Sequence, residues 1–429
     1  MILVVNPRPP LNGSKLNEIM INPMKFILLL FVLTFACTIG NAQVKDTAAK
    51  PFVLKSDPII PVNHINTYHI AIFAPLYLDS AFNGNDYRYN KNFPRFTLPG
   101  FDFIQGAQLA LDSLGIKNSN ITASIYDSKS YNQPVEMLIE NHALDSINLI
   151  IGSVKDIDYT QLANFAQQKN IPFLSATYPN DGGITANPFL VILNPTLKAH
   201  CEAIFSNILQ NHGSKNIVLV RKPGSQEDKV ATYFDNINTP DGKPLLKLKV
   251  LNIENEDFSM LKNALDSNKQ NIIIGGSLSE SFAAKLATVC SNINKAYPTL
   301  LFGMPNWENF SFVNNKPLKD YPVYFTSSYY NGKWDNTSKM ILETYRNKYQ
   351  GNPSDLVYKG YETVYQFINL ITKYPDDYMS HLNDYGTKVF SDFNFRPVFL
   401  SQQSKVPDYF ENKHLYFLKA MNGSTSRVW

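Results

Sequence analysis

The sequence predicts an α/β chain built as two doubly wound, Rossmann-like lobes, on three observations. The runs Leu149-Ile150-Ile151-Gly152-Ser153 and Ile171-Pro172-Phe173-Leu174-Ser175 are short and apolar and end in small or polar residues, with a helix-period segment, 159–169, between them. Strand, helix and strand within about thirty residues form a parallel βαβ unit. The alternation begins again after residue 196, giving two consecutive β/α runs. Both runs end strands in Gly- and Ser-bearing turns such as Gly152-Ser153 and Gly276-Ser277. Open α/β sheets bind ligands at the carboxyl ends of their strands.

The elements follow in order. Residues 69–76 make the first strand, and 79–99 a long loop rich in Asn, Tyr and Gly. Residues 100–114 form a helix with Ile104, Ala107, Leu111 and Leu114 on one stripe. A strand at 121–126, a helix at 134–143, the βαβ pair and a strand at 189–193 complete the first run. The second run has helices at 197–210, 228–237, 258–265 and 280–293. Its strands are 216–220, 245–251, 271–275 and 298–302. After the apolar stretch 321–325 come two helices, 337–349 and 358–374. The apolar runs 396–400 and 414–421 read as a closing hairpin.

With 429 residues, 44% of them hydrophobic, the chain is long enough for two or three domain-sized units with full cores. The net charge is +3, and no run of five or more Lys/Arg occurs, which argues against nucleic acid as a partner. Met24-Lys25 precedes an apolar stretch, 26–36, of signal-peptide length and too short to span a bilayer. Small residues at Gly40 and Ala42 predict cleavage before Gln43. Residues 1–42 are then an upstream extension and signal peptide, and 43–65 a linker. This address predicts a periplasmic protein. Cys37 offers a competing reading as a lipidated cysteine, although Thr34 stands where a lipobox has Leu. Cys201 and Cys290 lie in helix-period segments, and a disulfide or two buried thiols both stay open.

Enzyme signatures are missing: there is no G-x-S-x-G, G-x-x-x-x-G-K-[ST], G-x-G-x-x-G or H-E-x-x-H. The seven His residues are dispersed. A binding role with no catalytic residue, no cofactor and no metal is expected.

Ordered pieces spread over 66–421 carry a resemblance. They are Gly106-Ala107 and Ala110-Leu111-Asp112, Ile150-Ile151-Gly152, Asn170-Ile171-Pro172-Phe173-Leu174-Ser175, Asn194-Pro195-Thr196, the stretch 213–220, and Tyr358-Lys359-Gly360-Tyr361-Glu362. Their order resembles the type I periplasmic binding protein superfamily, as in branched-chain amino acid binding proteins and receptor ligand-binding regions. Pro99-Gly100-Phe101 and Phe410-Glu411-Asn412 look most like a Bacteroidetes-type branch, sometimes fused to LysM modules, of which this sequence has none. The resemblance implies two lobes joined by a three-crossover hinge, with a ligand between them. It assigns 66–195 plus 327–380 to lobe one and 196–326 plus 381–429 to lobe two.

It also implies a site. In amino-acid-binding relatives, paired Ser/Thr residues at a helix start hold the ligand carboxylate through hydroxyl and N–H groups. Here that turn has one such residue, Ser153, and Lys155 stands ready as a point charge for an anion. In the next turn, Ser175, Ala176, Thr177 and Tyr178, Thr177 donates to the ligand and Tyr178 packs on it. From lobe two, Ser225, Ser277, Trp307 and Glu308 close on the ligand. Glu308 meets an ammonium group and Trp307 forms a stacking or cation–π wall. The bland alternatives are ordinary turn caps at Ser153 and Ser175, a solvated Lys155 and a solvated Glu308. Tyr77, Tyr87 and Tyr89 rim the cleft beside the 79–99 loop, for which a mobile surface loop is the plainer reading.

The function expected is an exported solute-binding protein that closes around a small polar ligand, an amino acid or similar, for an ABC-type permease or a sensing system. The alternative is a cell-envelope interaction protein, peptidoglycan-associated or enzyme-regulating, that keeps the fold without a small ligand.

Overall fold

The computed structural model describes residues 3–4 and 67–428, except 90–92, 116–119, 315–317, 319, 376, 385, 387 and 402. The expected signal peptide and linker lie outside the described residues. The first sheet is built on β1 (Tyr68–Ala74), with β2 (Ile121–Asp127) on one side and β3 (Leu149–Gly152), β4 (Phe173–Ser175) and β5 (Leu190–Ile192) on the other, all parallel. Leu3–Val4 lies antiparallel along the outer edge of β2. The helices α1 (Leu98–Ser113), α2 (Val135–Glu140) and α3 (Asp156–Lys169) connect these strands.

The second sheet repeats this order. Its β6 (Asn216–Arg221) lies between β7 (Leu248–Asn252) and β8 (Asn271–Gly275), followed by β9 (Thr299–Gly303) and β10 (Val323–Ser327). The chain enters it through α4 (Leu197–His212), and α5 (Ser225–Asn238) and α6 (Glu280–Ile293) pack on its faces. It then returns to the first sheet with α7 (Asn336–Tyr349) and α8 (Asp355–Lys373).

Parallel strands covered on both faces need continuous apolar sequence, and β1 supplies it. Ile70, Ile72 and Ala74 point into a core with α1 and α8, while Ala71 and Phe73 point into a second core with α3. The second lobe has its own core around β6, β8 and β9. Thr196, Asp335 and Ser354 cap α4, α7 and α8 with side-chain oxygens.

The tail differs from the expectation. Residues 381–429 do not all join the second lobe, and 396–400 and 414–421 do not form one hairpin. Instead β11 (Phe395–Val398) pairs with β12 (Tyr409–Asn412), and β12 lies parallel to β5 in the first sheet. The chain then crosses once more, and β13 (Tyr416–Met421) pairs with β10 and with β14 (Ser424–Arg427) in the second sheet. The cause is polar anchoring at the crossover. Buried Glu411 accepts from the Thr196 backbone at 2.7 Å and pairs with Lys413 at 2.6 Å, and Asn412 donates to the Leu193 carbonyl. Three connections therefore link the sheets, after β5, β10 and β12.

Cys201 and Cys290 are free and fully buried in the second core. Burial pushes the Cys290 thiol up to about 12 and the Cys201 thiol up as well. Reactivity needs an exposed thiolate. We expect neither thiol to react with Ellman's reagent in native residues 43–429, and both to react in denaturant. Rapid native reaction at either position contradicts this packing.

Candidate functional site

Each sheet has the order 2-1-3-4-5, so each has a switch point where consecutive connections run to opposite sides of the first strand. A crevice opens there, beyond the carboxyl ends of the strands. In the first lobe, β1 lies between β2 and β3 and ends at Ala74, with Pro75 opening the turn; the neighbouring turn is Gly152-Ser153. In the second lobe, β6 lies between β7 and β8, and the turn is Gly276-Ser277.

Two adjoining cavities occupy these ends. One, of about 330 Å³, belongs to the first lobe and is lined by Tyr77, Phe96, Lys129, Ser153, Lys155 and Thr177, among others. The other, of about 400 Å³, draws walls from both lobes: Asn194, Ser328 and Lys359 from the crossovers and α8, and Leu278, Asn306 and Glu308 from the second lobe. Pro179 lines both, and Tyr178 walls the first.

The first-lobe wall is fixed by Asp127 at the end of β2. Its Oδ1 accepts from the backbone N–H of Leu76, Tyr77 and Lys129, and its Oδ2 from that of Leu78. This holds Tyr77 at φ 54°, in the left-handed region that non-glycine residues rarely adopt. Lys129 pairs with Asp158 at 2.6 Å. Burial works against the Lys129 charge, and Asp158 overcomes it, holding the ammonium above its usual range. Ser153 and Thr177 hydroxyls bond each other at 3.0 Å, and the Thr177 carbonyl accepts from Asn194. Lys155 is exposed at the rim, 3.8 Å from Asp156. Tyr178 stacks edge-on against Tyr159.

Other expected site residues stand on the turns without facing these two cavities. Ser175 is fully buried, and its neighbour Ala176 lines a small adjoining cavity. Ser277 is fully buried and donates to Glu227 at 2.6 Å; Leu278 lines the cleft in its place. Ser225 is exposed at the first turn of α5, where Gln226 faces the cleft. Trp307 is not a wall. It is 0% exposed, its ring lies against Gly275 and Gly303, and its Nε1 donates to the Ser277 carbonyl. Gly275 and Gly303 stand side by side in the register of β8 and β9, and their missing side chains leave the space the indole fills.

Glu308 does line the cleft, where its Oε2 accepts from Ser327 at 2.8 Å. Burial pushes its carboxyl above the usual range, offset in part by the Ser327 hydroxyl and Lys359. His200 Nδ1 sits 2.7 Å from Thr326 Oγ1, and burial lowers its pKa to about 3, so the imidazole there is neutral. Among the described residues, no group of three or more His, Cys, Asp or Glu side chains is placed to hold a metal.

The sequence reading missed Asp127, Lys129, Asn194 and Lys359. A signal existed for the last: Lys359 is a charge among buried positions of α8, with Val357, Tyr358, Gly360 and Tyr361 around it.

A family model described as periplasmic binding protein matches residues 97–384, more than half of the chain. No curated protein matches. Among solved structures, a protein assigned to branched-chain amino acid ABC transport from Rhodospirillum rubrum is similar at 13% identity and TM-score 0.62, covering 85% of this chain and 100% of its own. A branched-chain amino acid ABC transporter periplasmic ligand-binding protein from Burkholderia xenovorans aligns at 13% identity and TM-score 0.55, over 84% of this chain and 94% of its own. An ABC transporter substrate-binding protein from Desulfitobacterium hafniense, in complex with Leu, gives 12% identity and TM-score 0.52, over 84% and 99%. These likenesses show the same two-lobed fold.

Proposed function

The chain belongs to the periplasmic binding protein family, and from that premise we propose that it captures a small polar solute between its two lobes. The observation that carries this reading is the 400 Å³ cavity walled by polar groups from both lobes. A solute there touches both walls at once, so it binds the closed form better than the open one and draws the lobes together. The solute is an amino acid or a molecule of similar size and polarity, as in the relative bound to Leu. The chain works in the periplasm, delivered by segment 24–42, and passes its cargo to an ABC-type permease. Its role is binding, with no chemical step.

Envelope interaction without a ligand would favour a collapsed cleft, and the open, hydrogen-bonding cavity supports solute capture over it. The lobe boundaries that fit this reading are residues 67–193 with 336–412, and 197–327 with 416–428.

A thermal-shift screen of residues 43–429 against amino acids, peptides, sugars and cell-wall fragments tests the proposal. A solute at 100 times its dissociation constant adds about 2.7 kcal/mol, an upward shift of a few degrees. Glu308→Ala is expected to weaken the hit about tenfold, or about 1.4 kcal/mol. Silence across the panel removes solute capture in favour of the interaction protein.

A further inference from the structure

The interlobe cavity contains a cation with no contact partner of opposite charge among the described residues. Lys359 lines both the 400 Å³ cavity and the small one beside it. Its ammonium lies 5.1 Å from the centre of the Tyr329 ring and makes no hydrogen bond or ion pair with a described residue. Other lysines around the cleft and hinge are matched: Lys129 by Asp158, and Lys413 by Glu411 and Glu202.

The groups around Lys359 are occupied elsewhere. Glu362, one turn along α8, accepts from the Phe390 and Ser391 N–H groups and from the Ser391 hydroxyl. Asp355, one turn earlier, pairs with Lys333 at 2.8 Å. Glu308 faces it from the second lobe and takes the Ser327 hydroxyl. His200 on α4 is neutral. Burial pulls the Lys359 pKa down, and the fields of Glu308, Asp355 and Glu362 pull it back. The ammonium thus sits in a negative field without a partner at contact distance.

We propose that Lys359 ion-pairs with a carboxylate of the bound solute, so that the cleft selects a small carboxylate whose hydrogen-bond-donating end reaches Glu308. This rests on the solute-binding reading above.

Three observations favour this position for the anion. The first-lobe turn is less suited to it, because the Ser153 and Thr177 hydroxyls bond each other and so leave a single O–H between them, and the first turn of α3 carries Asp156 and Asp158. Negative side chains there already complement the helix dipole. A single cation flanked by carboxylates suits one negative charge, whereas a phosphate dianion would meet repulsion. Beside Glu308, Asn306 donates its Nδ2 N–H to the Leu278 carbonyl and keeps an Oδ1 without a partner among the described residues, so that end of the cavity draws donors.

The test compares acids with the amides that lack their carboxylate charge, by calorimetry and thermal shift. L-leucine is set against L-leucinamide and L-alanine against L-alaninamide, with wild type, Lys359→Met and Lys359→Gln. The expected result is that at least one acid binds and its amide does not. Both variants then lose at least tenfold in affinity for that acid while melting, unliganded, within a few degrees of wild type. Equal binding of acid and amide overturns the inference, as does unchanged acid affinity in folded Lys359→Met. Hits confined to uncharged sugars or peptide amides also overturn it and leave solute capture standing. Silence from acids, amides and the wider panel removes both.

Discussion

Asp127→Ala is expected to cost about 3–5 kcal/mol of stability in urea unfolding. The Asp127 side chain is 4% exposed and takes four backbone N–H groups. Removing the carboxylate leaves those donors without an acceptor, at about 1–3 kcal/mol for each that water does not reach. It also releases Tyr77 from its left-handed conformation. Because Tyr77 and Lys129 line the first-lobe cavity, that wall loosens with the turn. Asp127→Asn keeps one acceptor oxygen and is expected to lie between the two. A loss below about 1 kcal/mol for Asp127→Ala would show that the turn holds itself without this clamp. Asp86, on the exposed loop, serves as a control, with Asp86→Ala expected within about 0.5 kcal/mol of wild type.

Gly360→Ala is expected to destabilise by about 3 kcal/mol or more, with Gly106→Ala similar. The two glycines bring α1 and α8 into backbone contact. A Cβ on Gly106 would stand 1.9 Å from the Val357 carbonyl oxygen, and one on Gly360 2.2 Å from that of Phe103. Flexible side chains yield to such intrusions, but these neighbours are main chain, so the helices must separate. Overpacking of this kind costs more than the helix propensity gained by replacing Gly with Ala, about 1 kcal/mol. Gly351 has no neighbour closer than 3.8 Å and no left-handed φ. Gly351→Ala is therefore expected to be neutral in the same unfolding experiment. Since Lys359 adjoins Gly360, separation of the helices also moves the ammonium, and Gly360→Ala should weaken solute binding beyond its effect on stability.

Much of the fold was legible because parallel strands buried on both faces must be apolar throughout. Ile150-Ile151-Gly152 and Ile272-Ile273-Ile274-Gly275 can hardly be anything else at that length and spacing. Strand partners beyond the regular alternation were not legible. Tyr409-Phe410-Glu411-Asn412 has no strand signature, since Glu411 is buried only because Lys413 and the Thr196 N–H receive it from across the hinge. The 79–99 loop likewise hides a short helix, Leu78–Ala81, and a two-stranded hairpin.

Within the site, sequence located the turns better than the side chains on them. Thr177, Tyr178 and Glu308 reach the cavities, whereas Ser277 and Trp307 stand on the expected turns and face inward. Direction depends on what lies beneath: glycines at 275 and 303 make a slot for an indole, and Glu227 provides an acceptor for the Ser277 hydroxyl. The paired glycines at strand ends were visible in the sequence, but their shared register was not. Lys359 stood in a stretch that carries the resemblance but was not read as a site residue, because its place in the cleft depends on a crossover that returns α8 to the first lobe.

The most direct test is the distance between the lobes, measured by electron spin resonance with labels at Met137→Cys and Met260→Cys. These positions are 41% and 58% exposed, one on each lobe, and the two native thiols are buried. A solute found by its melting shift is expected to shorten the label separation by several ångström, roughly the scale of hinge closure, and to narrow its distribution. A saturating solute that raises the melting temperature and leaves the distribution unchanged would contradict capture between the lobes.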